Sequence, residues 1–298
     1  MNAASLLWIL ALQVLFGFNY LLSKTIVLHY SPLFWAALRS CFTAVVILSL
    51  LFLKRELNFQ EVKSNKKKLF YLALSGIFLN QAFFLLGLKF TTSYNSALIN
   101  TLIPICTLLV AAWRGHESIT KSQFLGSGVA ICGVFILTPL SQFSFSNEHL
   151  IGDLFTIGNV IAYSTYLVLN REFVNSHSPL WTTGWVFAFG SLGLLAFTIP
   201  EIPKNLLVPP PTEVLKALSY GLVGGTLIPY LILSYALRKT KSSTVALFVY
   251  LQPAIVGGLA AAFYDYKFTR EVVFATFLIF MGVFIGTRKP NPQIPLPE

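Results

Sequence analysis

Asn159, Tyr163 and Tyr166 stand four and three residues apart inside a long apolar run, a spacing that sets all three on one face of a helix. Such a face is either a wall against a solute or a packed seam. Amide and phenol groups donate and accept hydrogen bonds, which is the chemistry of non-covalent recognition. The same residue types interrupt the other apolar runs: Asn19, Asn80, Gln81, Asn95 and Asn100 earlier in the chain, Tyr230, Tyr250 and Gln252 later. In hydrocarbon a polar side chain costs free energy unless it meets a partner or a wet cavity, so these positions mark an interior. Arg39 also sits inside a run, roughly 9 Å from its start at 1.5 Å per residue. Its long stem either snorkels to the headgroups or points inward, and snorkelling or a structural partner is the expectation.

Catalysis by a membrane-embedded enzyme needs His, Asp or Glu clustered for metal binding or acid–base work. His29, His116, His149 and His177 lie in separate connecting segments, and no His-Glu-x-x-His or paired acidic motif occurs. Cys41, Cys106 and Cys132 fall within apolar runs at no metal-ligand spacing and are expected to be inert packing residues. No catalytic residue, metal or cofactor is therefore expected.

The elements that hold these side chains follow from composition. Hydrophobic residues fill 55% of the 298 positions and charged ones only 11%, so the solvent of this chain is largely lipid. A helix crosses the hydrocarbon layer in roughly 20 mainly apolar residues. Windows of that kind recur ten times, at 5–27, 33–53, 69–88, 93–113, 123–140, 151–169, 180–199, 214–237, 243–264 and 272–287. A barrel would show short alternating segments instead. The expected fold is thus an all-α membrane protein of ten transmembrane helices. No basic n-region or small-residue cleavage site is evident near the first span, which is expected to stay in the mature protein.

The formal net charge of +10 could suggest nucleic acid, but its distribution argues for topology. An even number of spans puts both termini on one side. Fourteen Lys and Arg then share that side against six opposite, with Arg39 between, and the positive-inside rule makes the richer side the cytoplasm. The expected setting is a bacterial-type inner membrane with both termini cytoplasmic. The partners are the lipid bilayer and a small-molecule substrate, with no nucleic acid, and the chain is a monomer or homodimer. The basic stretch 63–68 is expected to be a solvated loop near anionic headgroups.

The chain also repeats itself at an offset of 149 residues. Tyr71 meets Tyr220, Gly76 meets Gly225, Thr91 meets Thr240, Pro104 meets Pro253 and Gly133 meets Gly282. Upstream the offset is 147, where Lys24 meets Arg171 and Ser31-Pro32 meets Ser178-Pro179. Five spans per repeat is an odd number, so the halves 1–145 and 146–298 are expected to run through the bilayer in opposite senses. An inverted repeat can present one site alternately to each side of a membrane.

Four stretches carry a resemblance to a known family. They are Phe16-Gly17-Phe18-Asn19 with Lys24; Ser31-Pro32 with Arg39; Leu88-Lys89-Phe90-Thr91 through Ala97-Leu98 to Pro104, Glu117, Thr120 and residues 126–133; and a second copy from Tyr235-Ala236-Leu237 through Gln252-Pro253 to Gly282. In order, spacing and duplication they resemble the EamA branch of the drug/metabolite transporter superfamily over nearly the whole chain. One departure is that Tyr266, with Asp265 beside it, stands where the second copy of Glu117 belongs, so no functional weight falls on Glu117 or Asp265. The resemblance implies a ten-helix transporter of amino acids, nucleotide-like metabolites or toxic analogues, often an exporter. It also implies two inverted five-helix repeats around a central cavity walled by helices 1, 3, 4, 6, 8 and 9.

On that frame the expected cavity residues are Asn19, Gln81, Asn100, Asn159, Tyr163, Tyr166, Tyr230, Tyr250 and Gln252. Asn19 either bonds a solute or ties the first helix to a neighbour. Gln81 and Tyr230 occupy matching repeat positions. Pro104 and Pro253 each remove a backbone hydrogen bond and bend their helices, as moving gates or as static kinks. The list suits a neutral or zwitterionic solute. No acid lies mid-span, so a buried carboxylate is not expected to carry protons. Gly221 with Gly225, and Gly282 with Gly286, have the spacing that lets helix backbones approach closely.

Overall fold

The computed structural model describes residues 3–91, 93–137, 147–202, 209–255 and 270–288. These residues are almost entirely helical, with no strand among them. In chain order the helices are α1 (Ala3–His29), α2 (Pro32–Leu53), α3 (Phe59–Ala73), α4 (Asn80–Phe90), α5 (Ser93–Asn100), α6 (Ile103–Trp113) and α7 (Lys121–Leu137). There follow α8 (Asn147–Val174), α9 (Pro179–Thr198), α10 (Thr212–Leu222), α11 (Ile228–Lys239), α12 (Ser242–Leu247) and α13 (Arg270–Thr287). Six segments among the described residues are long and apolar enough to cross a membrane: Ser5–His29, Pro32–Leu53, Phe59–Phe90, Ser96–Trp113, Pro179–Glu201 and Thr212–Lys239. Lys121–Ile136, Ser242–Ile255 and Val273–Thr287 are shorter apolar helices. The chain is a multi-pass membrane protein. Its expected ninth span, 243–264, lies partly outside the described residues, as do the boundary at 145, Thr138 and the pair Asp265 and Tyr266.

Two long helices are not regular throughout. α3 passes into α4 through a π-helical segment, Leu74–Leu79, and α10 passes into α11 through another, Val223–Leu227. The two wide turns begin 149 residues apart, at matching repeat positions. A π segment inserts one residue into the helical ladder and re-aims the side chains beyond it, and here those are Asn80, Gln81 and Tyr230.

The stretch 63–68 is helical, which corrects the expectation of a loop. Asn58 caps the N-terminus of α3 by accepting from the Glu61 backbone N–H (3.3 Å), and Lys, Gln and Glu propagate a helix well. The lysines at 63 and 66–68 are exposed on this extension, so the solvation was read correctly and the conformation was not.

Neither proline bends a continuous helix. The chain is interrupted at Thr101 and Leu102 before Pro104, and by a 3-10 turn, Phe248–Tyr250, before Pro253. Proline has no N–H to donate and clashes with the carbonyl four residues back, so it is tolerated at the start of the resumed helix. Cys132 is exposed on the outer surface and is not a packing residue as expected.

The glycines divide into two kinds. Gly126 of α7 and Gly282 of α13 bring two backbones together: a Cβ on Gly126 would meet the Gly282 carbonyl oxygen at 2.5 Å. Gly221 and Gly225 instead make room for side chains, the Trp35 ring and the Asn19 amide respectively. Their spacing suggested backbone contact, and only the pairing across α7 and α13 delivers it.

Candidate functional site

A small cavity, about 60 Å³, lies between helices from both halves of the chain; it has room for a few water molecules, less than the roughly 300–1,000 Å³ of small-molecule sites, so a solute needs the surrounding helices to part. Asn19, Gln81, Asn159, Tyr163, Tyr230 and Gln252 line it, together with Phe16, Tyr20, Arg39, Asn80, Phe84, Ile103 and Gly225. Asn100, Tyr166 and Tyr250 are buried but are not among its lining residues. Pro104 and Pro253 also stand outside the lining.

One directional chain of hydrogen bonds runs along the wall. Gln81 Nε2 donates to the Tyr230 hydroxyl (2.7 Å), which donates to Asn80 Oδ1 (2.8 Å). Asn80 Nδ2 donates to Asn159 Oδ1 (2.7 Å), Asn159 Nδ2 to Asn100 Oδ1 (2.9 Å), and Asn100 Nδ2 to the Tyr20 hydroxyl (2.7 Å). The bonds join α1, α4, α5, α8 and α11, so the relay ties distant segments into one polar surface. Asn100 thus acts behind the lining by holding Asn159 and Tyr20. On the far side, Gln252 Nε2 donates to Gln13 Oε1 (2.8 Å).

Arg39 corrects the largest misplacement. It is 2% exposed and lines the cavity, so it neither snorkels nor finds a structural counter-ion. Its Nε is buried without a hydrogen-bond partner, and among the described residues no carboxylate pairs with it. Its cationic carbon faces the Trp35 ring at 5.8 Å and the Phe84 ring at 5.9 Å. Such contacts recover about 0.5–2 kcal/mol, against an effective penalty of several kcal/mol for a buried ion. The signal was present in α2. Trp35, Ala36, Arg39, Ser40, Thr43 and Ala44 form its buried stripe, small and polar, while Leu38, Val45 and Phe52 face outward.

Contacts recur at the two repeat offsets. A Cβ on Gly76 would strike the Tyr166 ring at 2.2 Å, and one on Gly225 would strike Asn19 Oδ1 at 2.4 Å. Gly76 and Gly225 are 149 apart, Asn19 and Tyr166 are 147 apart. Ser23 donates to Asn19 (3.0 Å) one turn along α1, and Asn170 donates to Tyr166 (3.2 Å) one turn along α8, again 147 apart. Tyr166 therefore fills the place in α8 that Asn19 fills in α1. Its hydroxyl turns toward Asn170, which also donates to Ser234 (3.1 Å).

Lys24 and Arg171, expected to serve topology or headgroups, tie helices together. Lys24 Nζ donates to the Leu88 and Thr91 carbonyls, and Arg171 Nε donates to the Thr240 carbonyl (3.0 Å). Each caps orphan carbonyls where α4 or α11 ends, and cations at a helix C-terminus also meet the negative end of its dipole. Glu117, discounted on sequence, is buried and accepts from the Ser242 N–H (3.0 Å), the Ser242 hydroxyl (2.7 Å) and the Ser243 hydroxyl. Gln123 Nε2 donates to that same Ser243 hydroxyl (2.8 Å). Asp153 accepts from Thr91 (2.7 Å).

A second hollow, about 410 Å³, is lined by Lys68, Tyr71, Trp113, Arg114 and Glu172 among others. Its rim is open to the surroundings, Trp113 being 85% exposed. Glu172 binds Arg114 (2.8 Å) and His116 (2.8 Å), and the Glu172 hydrogen bond raises the Arg114 pKa above its ordinary value. Arg114 and Glu172 are already paired and the hollow lies open, so it is the weaker candidate despite its larger size.

A multi-pass helical membrane protein with a polar cavity lined from both halves of its chain is the class these features define. The chain belongs to the EamA-like transporter family, whose profile matches residues 3–138 and again 150–288. It is 27% identical to the uncharacterized transporter YyaM of Bacillus subtilis, over 83% of this chain and 82% of that protein. An uncharacterized transporter of Archaeoglobus fulgidus is 29% identical over 74% of this chain and 75% of its own length. A WAT1-related protein of Arabidopsis thaliana is 24% identical over 91% and 80%. A solved crystal structure of a protein 17% identical shares the fold with a TM-score of 0.76, over 96% of this chain and 97% of that one. The protein is a membrane transporter.

Proposed function

We propose that the protein is a ten-span carrier built of two inverted five-span repeats, 1–145 and 146–298. It moves small polar metabolites of amino-acid type through the cavity by alternating access, outward across a bacterial-type inner membrane, with both termini cytoplasmic. The observation that carries this reading is the Gln81–Tyr230 hydrogen bond, which joins two residues 149 apart. Two copies that face each other across an axis bring equivalent positions into contact on that axis, which supports this arrangement, and this bond lies in the cavity wall. The recurring Gly–side-chain contacts, the paired π segments and the Lys24 and Arg171 ties support the same symmetry. In an inverted repeat the two copies can exchange local shapes, and each exchange would open the cavity to the other side.

Purified protein in liposomes preloaded with an amino acid pool is expected to take up labelled solute by counterflow with no imposed pH gradient. Cells expressing it are expected to resist toxic amino acid analogues. Folded protein that exchanges nothing would remove the carrier reading, and uptake only under a pH gradient would remove the gradient-driven one. Gln81→Leu deletes the bond on the axis. At roughly 0.6–2 kcal/mol per interhelical bond it is expected to slow counterflow by about three- to thirty-fold, with expression unchanged.

A further inference from the structure

Among the described residues, Arg39 is the only member of the cavity lining that carries a full charge at neutral pH. Other described carboxylates near the helix bundle are engaged elsewhere: Glu117 by Ser242 and Ser243, Asp153 by Thr91, Glu172 by Arg114 and His116, Glu201 by Ser31. The groups facing the guanidinium are the Trp35 ring from its own helix and the Phe84 ring from α4; the rest of the lining, the Tyr230 hydroxyl and the amides of Asn19, Asn80 and Gln81 included, is neutral. A second polar atom in the same cavity is also unsatisfied. Gln81 spends its Nε2 on Tyr230, and its Oε1 is buried with no partner.

We infer that the transported solute carries a carboxylate that docks on Arg39 and a neighbouring hydrogen-bond donor that meets Gln81 Oε1. A guanidinium presents a planar fork of donors matched to a carboxylate's two oxygens, and a charge-assisted bond in a low-dielectric site is strong. One cation balances one negative charge. A phosphate monoester would bring close to two negative charges against that single cation, which disfavours it. Phe16, Phe84 and Ile103 accept an apolar remainder. This inference rests on the carrier reading and narrows its solute from neutral or zwitterionic to acid-bearing; an α-amino acid and an α-hydroxy acid both qualify.

The test uses full-length protein in detergent and in liposomes. Pools of amino acids and of α-hydroxy acids are compared with the same compounds as carboxamides, for wild type, Arg39→Gln and Arg39→Lys. Acids are expected to raise the wild-type melting temperature by about 5 °C at saturating concentration, and carboxamides to leave it unchanged. Arg39→Gln should lose that shift and at least tenfold of counterflow, and Arg39→Lys should keep part of both. In the absence of solute, Arg39→Gln should melt no lower than wild type, because it removes a buried charge whose desolvation the Trp35 and Phe84 rings offset only in part. A ligand-free melting point well below wild type would make Arg39 structural and overturn the inference. So would carboxamides binding as well as acids, acid binding that survives in Arg39→Gln, or no shift from any acid. Counterflow of carboxamides alone would sink the carboxylate anchor and leave the carrier standing, whereas no counterflow from either pool would remove the carrier itself.

Discussion

Gly126→Leu is expected to yield little or no folded protein, whereas Gly128→Leu, on the same helix, is expected to behave like wild type. A Cβ on Gly126 would lie 2.4 Å from the Gly286 nitrogen, 2.5 Å from the Gly282 oxygen and 2.6 Å from the Gly286 Cα. All three are backbone atoms of α13, which cannot rotate aside as a side chain can, so α7 and α13 would have to part. Overpacking of ordinary cores costs about 1–3 kcal/mol. Separating two helices that meet backbone to backbone costs more, because the whole interface is lost. A Cβ on Gly128 would meet nothing within 4 Å, and the position is exposed, so a leucine there meets lipid. Size-exclusion profiles of the two variants, expressed side by side, give the comparison. A monodisperse Gly126→Leu melting near wild type would show that the α7–α13 contact is dispensable.

Glu117→Ala is expected to destabilise by about 4 kcal/mol and to change transport more than stability alone accounts for. Hydrogen bonds to a charged group contribute roughly 1.5–3 kcal/mol each, less than additively, and Glu117 accepts three from the chain entering α12. Its loss leaves the Ser242 N–H buried and unpaired. The partners are 125 and 126 residues apart, so the bond fastens the α6–α7 connection of one repeat to the start of α12 in the other. On the alternating-access reading proposed above, helices that part when the cavity opens are held there, and Glu117→Ala should then bias the carrier toward the state open at that end. Thermal melting gives the stability change. A double-mutant cycle with Ser243→Ala should return a coupling of about 1–2 kcal/mol. Additive effects would disconnect Glu117 from Ser243 energetically, and labelling rates of a cysteine placed at that end report the bias.

Glu117 shows why part of the site was hidden. Its second copy is replaced by Tyr266, and on the sequence that mismatch argued against a role. The bond it makes does not need a copy, because the residues it holds, Ser242 and Ser243, belong to the other repeat. Arg39 was hidden for a different reason. Depth along a span is legible from counting residues, but rotation about the helix axis depends on which neighbours pack against it. Its small, polar stripe faced inward only because α2 lies between α9 and α4. Lys24 and Arg171 likewise read as end-of-span cations until α4 and α11 brought free carbonyls beside them.

What the chain determined by itself was its solvent, the placement of most spans, the repeat offsets and the short roster of amides and phenols from which a site could be made. Those properties are local or periodic: a run of apolar residues must enter lipid, and polar residues inside it must find partners wherever they end up. Tertiary structure decided which of them share a cavity. It put Gln81 against Tyr230, moved Tyr166 and Tyr250 behind the wall and turned Arg39 into it. The physical reason is that each apolar helix has more than one face it could bury, and only the mutual packing of α1, α2, α4, α8 and α11 selects a single set of rotations.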